Sequence, residues 1–175
     1  MLVNHSKCRT ELMNVMSRAV KAFMEEINKP ETYVQGDEFE NFVRNKLFPA
    51  GKFDLVQKSS DYETSKFDFT GALEEPDFKF RPHEGGREFF IEAKFHSGFH
   101  DGAVDCCNYH QLKHFHELDK STPLYFVIGV GMPAAAPQHL YLIPVKDIKN
   151  STLYNYFLKD YPISPSHNVN LKDLR

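Results

Sequence analysis

The sequence predicts a three-layer α/β domain, a mixed central sheet with helices on both faces. Three observations carry that expectation. Segments with helical spacing of apolar residues alternate with strand-like segments in the order helix, strand, hairpin, helix, strand. Pro123–Gly131 holds an unbroken Leu-Tyr-Phe-Val-Ile run, as expected of a strand covered on both faces. A chain of 175 residues with 41% apolar and 26% charged side chains also suits one compact domain with a substantial core.

The elements follow in chain order. Residues 10–28 set Leu12, Val15, Met16, Ala19, Val20, Phe23 and Ile27 at three- and four-residue steps, which predicts an N-terminal amphipathic helix ended by Pro30. Its apolar face reads as core packing, with a dimer contact as the lesser reading. A second helix is expected over Asp37–Phe48, with Phe39, Phe42, Val43 and Leu47 facing inward and Glu40 flanking that stripe. Lys52–Gln57 alternates as a first strand, followed by a polar loop over Lys58–Glu75. His96–Asn108 lacks a period and reads as a loop into a helix over Tyr109–Leu118, with Gln111 in its first turn. Pro123–Gly131 and His139–Val145 read as strands, and Leu153–Lys159 as a short helix before a proline-containing tail.

The composition narrows the function classes. Three cysteines, Cys8, Cys106 and Cys107, are too few and wrongly spaced for a disulfide framework, so a cytoplasmic location is expected. No apolar run is long enough to span a bilayer, no secretory leader pattern opens the chain, and no membrane partner is expected. The formal net charge of −3 means that any grip on nucleic acid must come from a local patch or a partner.

The chemistry concentrates around one predicted hairpin. In Asp77-Phe78-Lys79-Phe80-Arg81 the charged residues share one face, as do Phe90, Glu92 and Lys94 in the strand after the Gly85-Gly86 turn. A turn centred on the two glycines would set Asp77 opposite Lys94 and Lys79 opposite Glu92, with Pro82 weakening pairing near the turn. Acid-x-Lys alone is a weak signal, since Asp77-Phe78-Lys79, Glu92-Ala93-Lys94 and Asp147-Ile148-Lys149 all carry it. Only Glu92-Ala93-Lys94 sits inside an apolar strand, where two charges need a partner such as a metal or an ion pair. Lys79 and Arg81 could reach phosphates or simply face water. Cys106 or Cys107 with His110 and His114 would suit Zn²⁺ along one helix face, but no established ligand motif matches.

Pro76-Asp77, then Glu92-Ala93-Lys94 across the hairpin, with Glu40 on the helix before and Gln111 on the helix after, resembles the PD-(D/E)xK nuclease superfamily. The resemblance covers roughly residues 36–145. It implies a restriction-endonuclease-like fold: a single nuclease-like domain over 1–175, with an N-terminal helix in 1–30, a core over 36–145 and a C-terminal helix and tail in 150–175. It further implies a metal-dependent nuclease that hydrolyses phosphodiester bonds, with DNA the favoured substrate and RNA not excluded. Glu40, Asp77, Glu92, Lys94 and Gln111 would form the catalytic set. Asp77, Glu92, Glu40 and the Ala93 carbonyl would hold Mg²⁺, with Mn²⁺ as a substitute. Lys94 would orient or deprotonate the attacking water, or stabilise the transition state. The competing readings are a catalytically inactive nucleic-acid-binding or assembly subunit on the same fold, and an enzyme with another substrate. A homodimer is left open.

Overall fold

The computed structural model describes residues 31–59, 75–166 and 168–174. The predicted N-terminal helix and most of the predicted 58–75 loop lie outside the described residues. Contacts divide the chain after Val34, and residues from Gln35 onward form the unit described below.

Helix α1 spans Glu31–Phe42 and continues as a π-helical turn over Val43–Leu47. It starts six residues before the sequence expectation, yet buries the expected stripe of Phe39, Phe42, Val43 and Leu47. Strands β1 (Phe53–Lys58), β2 (Phe78–Pro82) and β3 (Phe89–His96) then form an antiparallel meander. A bulge between Leu55 and Gln57 breaks the β1 alternation and leaves Val56 exposed.

Strand β4 (Ala103–Asp105) leads to helix α2 (Tyr109–Asp119), followed by β5 (Leu124–Val130) and β6 (His139–Pro144). Strand β7 (Thr152–Tyr154) and helix α3 (Asn155–Leu158) come next. The main sheet has the order β1-β2-β3-β5-β6, with only β3 and β5 parallel, so it is mixed as predicted. The order requires the chain to leave β3, cross over through β4 and α2, and return beside it.

A second sheet of β4 and β7 was not expected. Its strands of three residues are too short for an alternating pattern to announce them, so His96–Asn108 read as loop and Thr152–Tyr154 as helix or linker.

The two faces of the main sheet carry two cores. On one, α1 and Phe48 cover Phe78, Phe80, Phe89, Ile91 and Val127. Phe48, Phe80 and Phe89 meet there with ring centroids 5.0–6.0 Å apart. On the other face, Leu112 and Phe115 of α2 cover Leu124, Phe126 and Ile128. Strand β5 is buried at every position, as its apolar run predicts. Its one glycine has a steric reason, because a Cβ at Gly129 would lie 2.4 Å from Phe39 Cε2. That close approach seats α1 on the sheet.

Candidate active site

The hairpin register differs from the expectation. Lys79 pairs with Phe90 and Phe80 with Phe89, a shift of two residues from the predicted pairing. The connection between the last paired residues, Phe80 and Phe89, centres between Glu84 and Gly85, one residue earlier than expected, with Gly85 and Gly86 at φ +83° and +125°. Pro82 takes no part in the β2–β3 pairing and instead lies opposite Phe53 of β1. The even shift preserves the parity of every side chain, so the shared charged face survives. Its neighbours change, however. Carried one residue further, the observed register sets Asp77 beside Glu92, not opposite Lys94.

Two carboxylates therefore sit side by side in the interior. Asp77 is 6% exposed and Glu92 3%, and they are the buried charged residues among those described. Asp77 Oδ2 accepts a 2.6 Å hydrogen bond from the Ala93 amide, which ties the start of β2 to the middle of β3. Glu92 lies between Phe90 and Lys94 on the face that packs on α2, and its Oε1 is 2.8 Å from Lys94 Nζ. The Lys94 side chain is 34% exposed, so the ammonium bridges a buried acid and open solvent. Burial, and next the charge on Glu92, push Asp77 well above the usual carboxylate range; the Ala93 amide and Lys94 oppose that rise and Glu40 adds to it.

Glu40 approaches from the other layer, since α1 packs on the opposite sheet face from α2. Its Oε2 pairs with Lys58 Nζ at 3.0 Å. Gln111 lies at the third helical position of α2 and forms a capping box with Asn108. The Gln111 amide donates to Asn108 Oδ1 at 2.9 Å, and Gln111 Oε1 accepts from the Asn108 amide at 3.0 Å. Its role in starting the helix is therefore explicit. Lys79 and Arg81 are both bound to Glu88, Lys79 at 2.7 Å, which ties their charges to the hairpin turn.

Two side chains near this cluster were not singled out as site residues. His96 continues the Glu92–Lys94 face by strand parity; its ring hydrogen-bonds the Asp105 backbone, and its Nε2 is buried with no hydrogen-bond partner. Contact with the Cys106 thiol, sulfur to sulfur at 3.7 Å, is the main cause holding the Cys107 thiol below its ordinary range; burial and Glu92 oppose this and Lys94 adds to it. Strand parity could have flagged His96. The spacing points Cys107 toward His110 and His114 and not toward Glu92 and Lys94, because the short strand β4 that leads into it has no pattern of its own.

Among the described residues, no group of three or more His, Cys, Asp and Glu side chains is arranged to hold a metal ion. The Asp77–Glu92 pair nonetheless fits a hard divalent cation. Both are oxygen donors, both are buried, and their repulsion is incompletely offset by Lys94. Mg²⁺ commonly takes only one or two carboxylates and fills its shell with water and substrate oxygens.

A mixed sheet flanked by helices, with Asp77, Glu92 and Lys94 gathered on its central hairpin, is a restriction-endonuclease-like fold. Among solved structures, it is similar to Hjc of Archaeoglobus fulgidus, a Holliday junction resolvase from an archaeal hyperthermophile. The match has a TM-score of 0.52 at 12% identity and covers 72% of this chain and 93% of the resolvase. No family model matches the sequence, and no curated protein matches it. No helix among the described residues is long and apolar enough to cross a membrane.

Proposed function

We propose that this chain is a metal-dependent nuclease that hydrolyses phosphodiester bonds of DNA with water as the nucleophile. The observation that carries the reading is the burial of Asp77 and Glu92 beside each other, with Lys94 reaching from Glu92 toward solvent. Burying two like charges is destabilising unless a bound cation uses them. The fold shared with a Holliday junction resolvase supports DNA as the substrate.

Asp77 and Glu92, with the Ala93 carbonyl, would hold Mg²⁺, which when bound supplies Lewis-acid activation of water and neutralises phosphate charge. The Ala93 amide holds the Asp77 carboxylate in place through Oδ2. Glu92 positions the Lys94 ammonium at 2.8 Å. Lys94 then orients the attacking water and stabilises the negative charge that develops on the phosphate oxygens. Glu40, paired with Lys58, adds negative potential from the opposite layer, and Gln111 serves the site from the first turn of α2.

The test is cleavage of labelled DNA by the full chain with Mg²⁺, with EDTA, and by Glu92→Ala and Lys94→Ala. Cleavage should require the metal and fall by about 100-fold or more in each variant. Variants that cut as fast as the wild type would refute the assigned site.

A further inference from the structure

The β4–β7 sheet presents a surface that the carboxylate site does not use. Tyr154 ends β7 and Tyr156 lies in α3, and their rings stack at 5.7 Å with planes 11° apart. Tyr154 is 47% exposed and Tyr156 74%, an aromatic pair left facing water. Beside them opens a cleft of about 620 Å³, lined also by Phe157, Tyr161, Lys146 and Lys149. Both lysines are exposed. The acid in the cleft, Asp147, is engaged by a hydrogen bond with Tyr161. The cleft thus presents ring faces with two lysines and one hydrogen-bonded carboxylate in its wall.

The platform is firmly mounted. The Asn155 amide donates to the Gly102 carbonyl at 2.9 Å, and Cys106 donates to Ser151 at 2.8 Å. Thr152 Oγ1 donates to Asp105 Oδ1 at 2.6 Å, while Leu153 and Leu158 are buried beneath. Strand β7 pairs antiparallel with β4, setting Ala103 opposite Tyr154. A rigid aromatic surface binds with less ordering cost than a mobile one.

We propose that Tyr154 and Tyr156 form a stacking platform for an unpaired base of a DNA strand, with Lys146 and Lys149 contacting its phosphates. Aromatic rings accept any base by its π-face, and neighbouring cations follow the backbone. Such a patch also suits a chain of net charge −3, which needs its phosphate contacts gathered locally. The choice of DNA as ligand rests on the nuclease reading; the ring and lysine geometry does not.

The experiment measures binding by the full chain in EDTA, using a labelled single-stranded oligonucleotide that contains a fluorescent adenine analogue. Wild type should bind the strand and quench the analogue. The Tyr154→Ala/Tyr156→Ala double variant should bind about 10-fold more weakly or worse and lose the quenching, whereas Tyr156→Phe should keep both. Lys149→Ala should weaken binding and lower its salt dependence by about 0.7 in log–log slope. Unchanged binding and quenching in the double alanine variant would overturn the proposal, as would a wild type that does not bind the strand. A wild type that cleaves duplex DNA with Mg²⁺ while the tyrosine variants bind normally sinks this inference alone. Tyrosine-dependent binding without any Mg²⁺-dependent cleavage sinks the nuclease reading alone.

Discussion

Asp77→Asn changes the charge of the site and little else. Asp77 Oδ2 accepts from the Ala93 amide at 2.6 Å, and an asparagine oxygen can accept the same bond. What disappears is a buried negative charge whose pKa is raised by burial first and by Glu92 next. An acid with a raised folded pKa contributes stability that is fully present below its unfolded pKa, about 3.9 for aspartate, and is lost as pH rises through the folded value. Asparagine carries no such loss. At about pH 8 the variant escapes the desolvation and repulsion but gives up the extra strength of a charge-assisted hydrogen bond, about 1 kcal/mol. The net gain should be about 1–3 kcal/mol in the metal-free protein. At about 2–4 °C per kcal/mol for a chain of this size, Tm should rise by roughly 2–12 °C at that pH, and the difference should vanish below about pH 4. Thermal unfolding followed by circular dichroism, with and without Mn²⁺, measures this. A variant less stable than wild type at the higher pH, or a difference independent of pH, refutes the charge argument. If Mn²⁺ raises Tm equally in both proteins, Asp77 is not a ligand.

Mn²⁺ binding to the wild type should tighten as pH rises through the raised Asp77 pKa and should release protons, because the ligating form is the carboxylate. Calorimetry in buffers of different ionisation enthalpy detects this, and buffer-independent heats would contradict it. Gly129→Ala forces a methyl to within 2.4 Å of Phe39 Cε2 and should cost about 1–3 kcal/mol in urea unfolding as α1 is displaced; an unchanged midpoint would show that the ring yields freely. Asn108→Ala removes the α2 cap at a cost of about 1 kcal/mol, with cleavage within a few-fold of wild type, whereas Gln111→Ala should lose activity beyond its effect on stability. Equal losses in both variants would reduce Gln111 to a capping residue.

The segments that were legible are those whose environment imposes a period. Leu124–Val130 is buried throughout and reads as one apolar run. The inward stripe of α1 survives even though the helix begins earlier than its breakers suggest, because burial constrains Phe39, Phe42, Val43 and Leu47 while propensity sets the exposed end loosely. What was not legible is short or non-local. Three-residue strands β4 and β7 depend on each other across about fifty residues, and neither has a pattern of its own. The vicinity of Cys107 to Glu92 and Lys94 therefore had no local signal.

By itself the sequence determined that Asp77, Glu92 and Lys94 share a sheet face, because side-chain alternation is a property of the strand and survives any even shift of register. It also determined the helix, hairpin, helix, strand order that surrounds them. Only the tertiary structure decided that Asp77 lies beside Glu92, since Arg81 and Pro82 pair with β1 and not with β3, which sets the hairpin register from outside the hairpin. Only it decided the layers, with Glu40 and Gln111 carried on opposite faces of the sheet. Periodicity specifies which way a side chain points along one strand. Which other charges it meets depends on contacts between segments distant in the chain, and those are formed by packing.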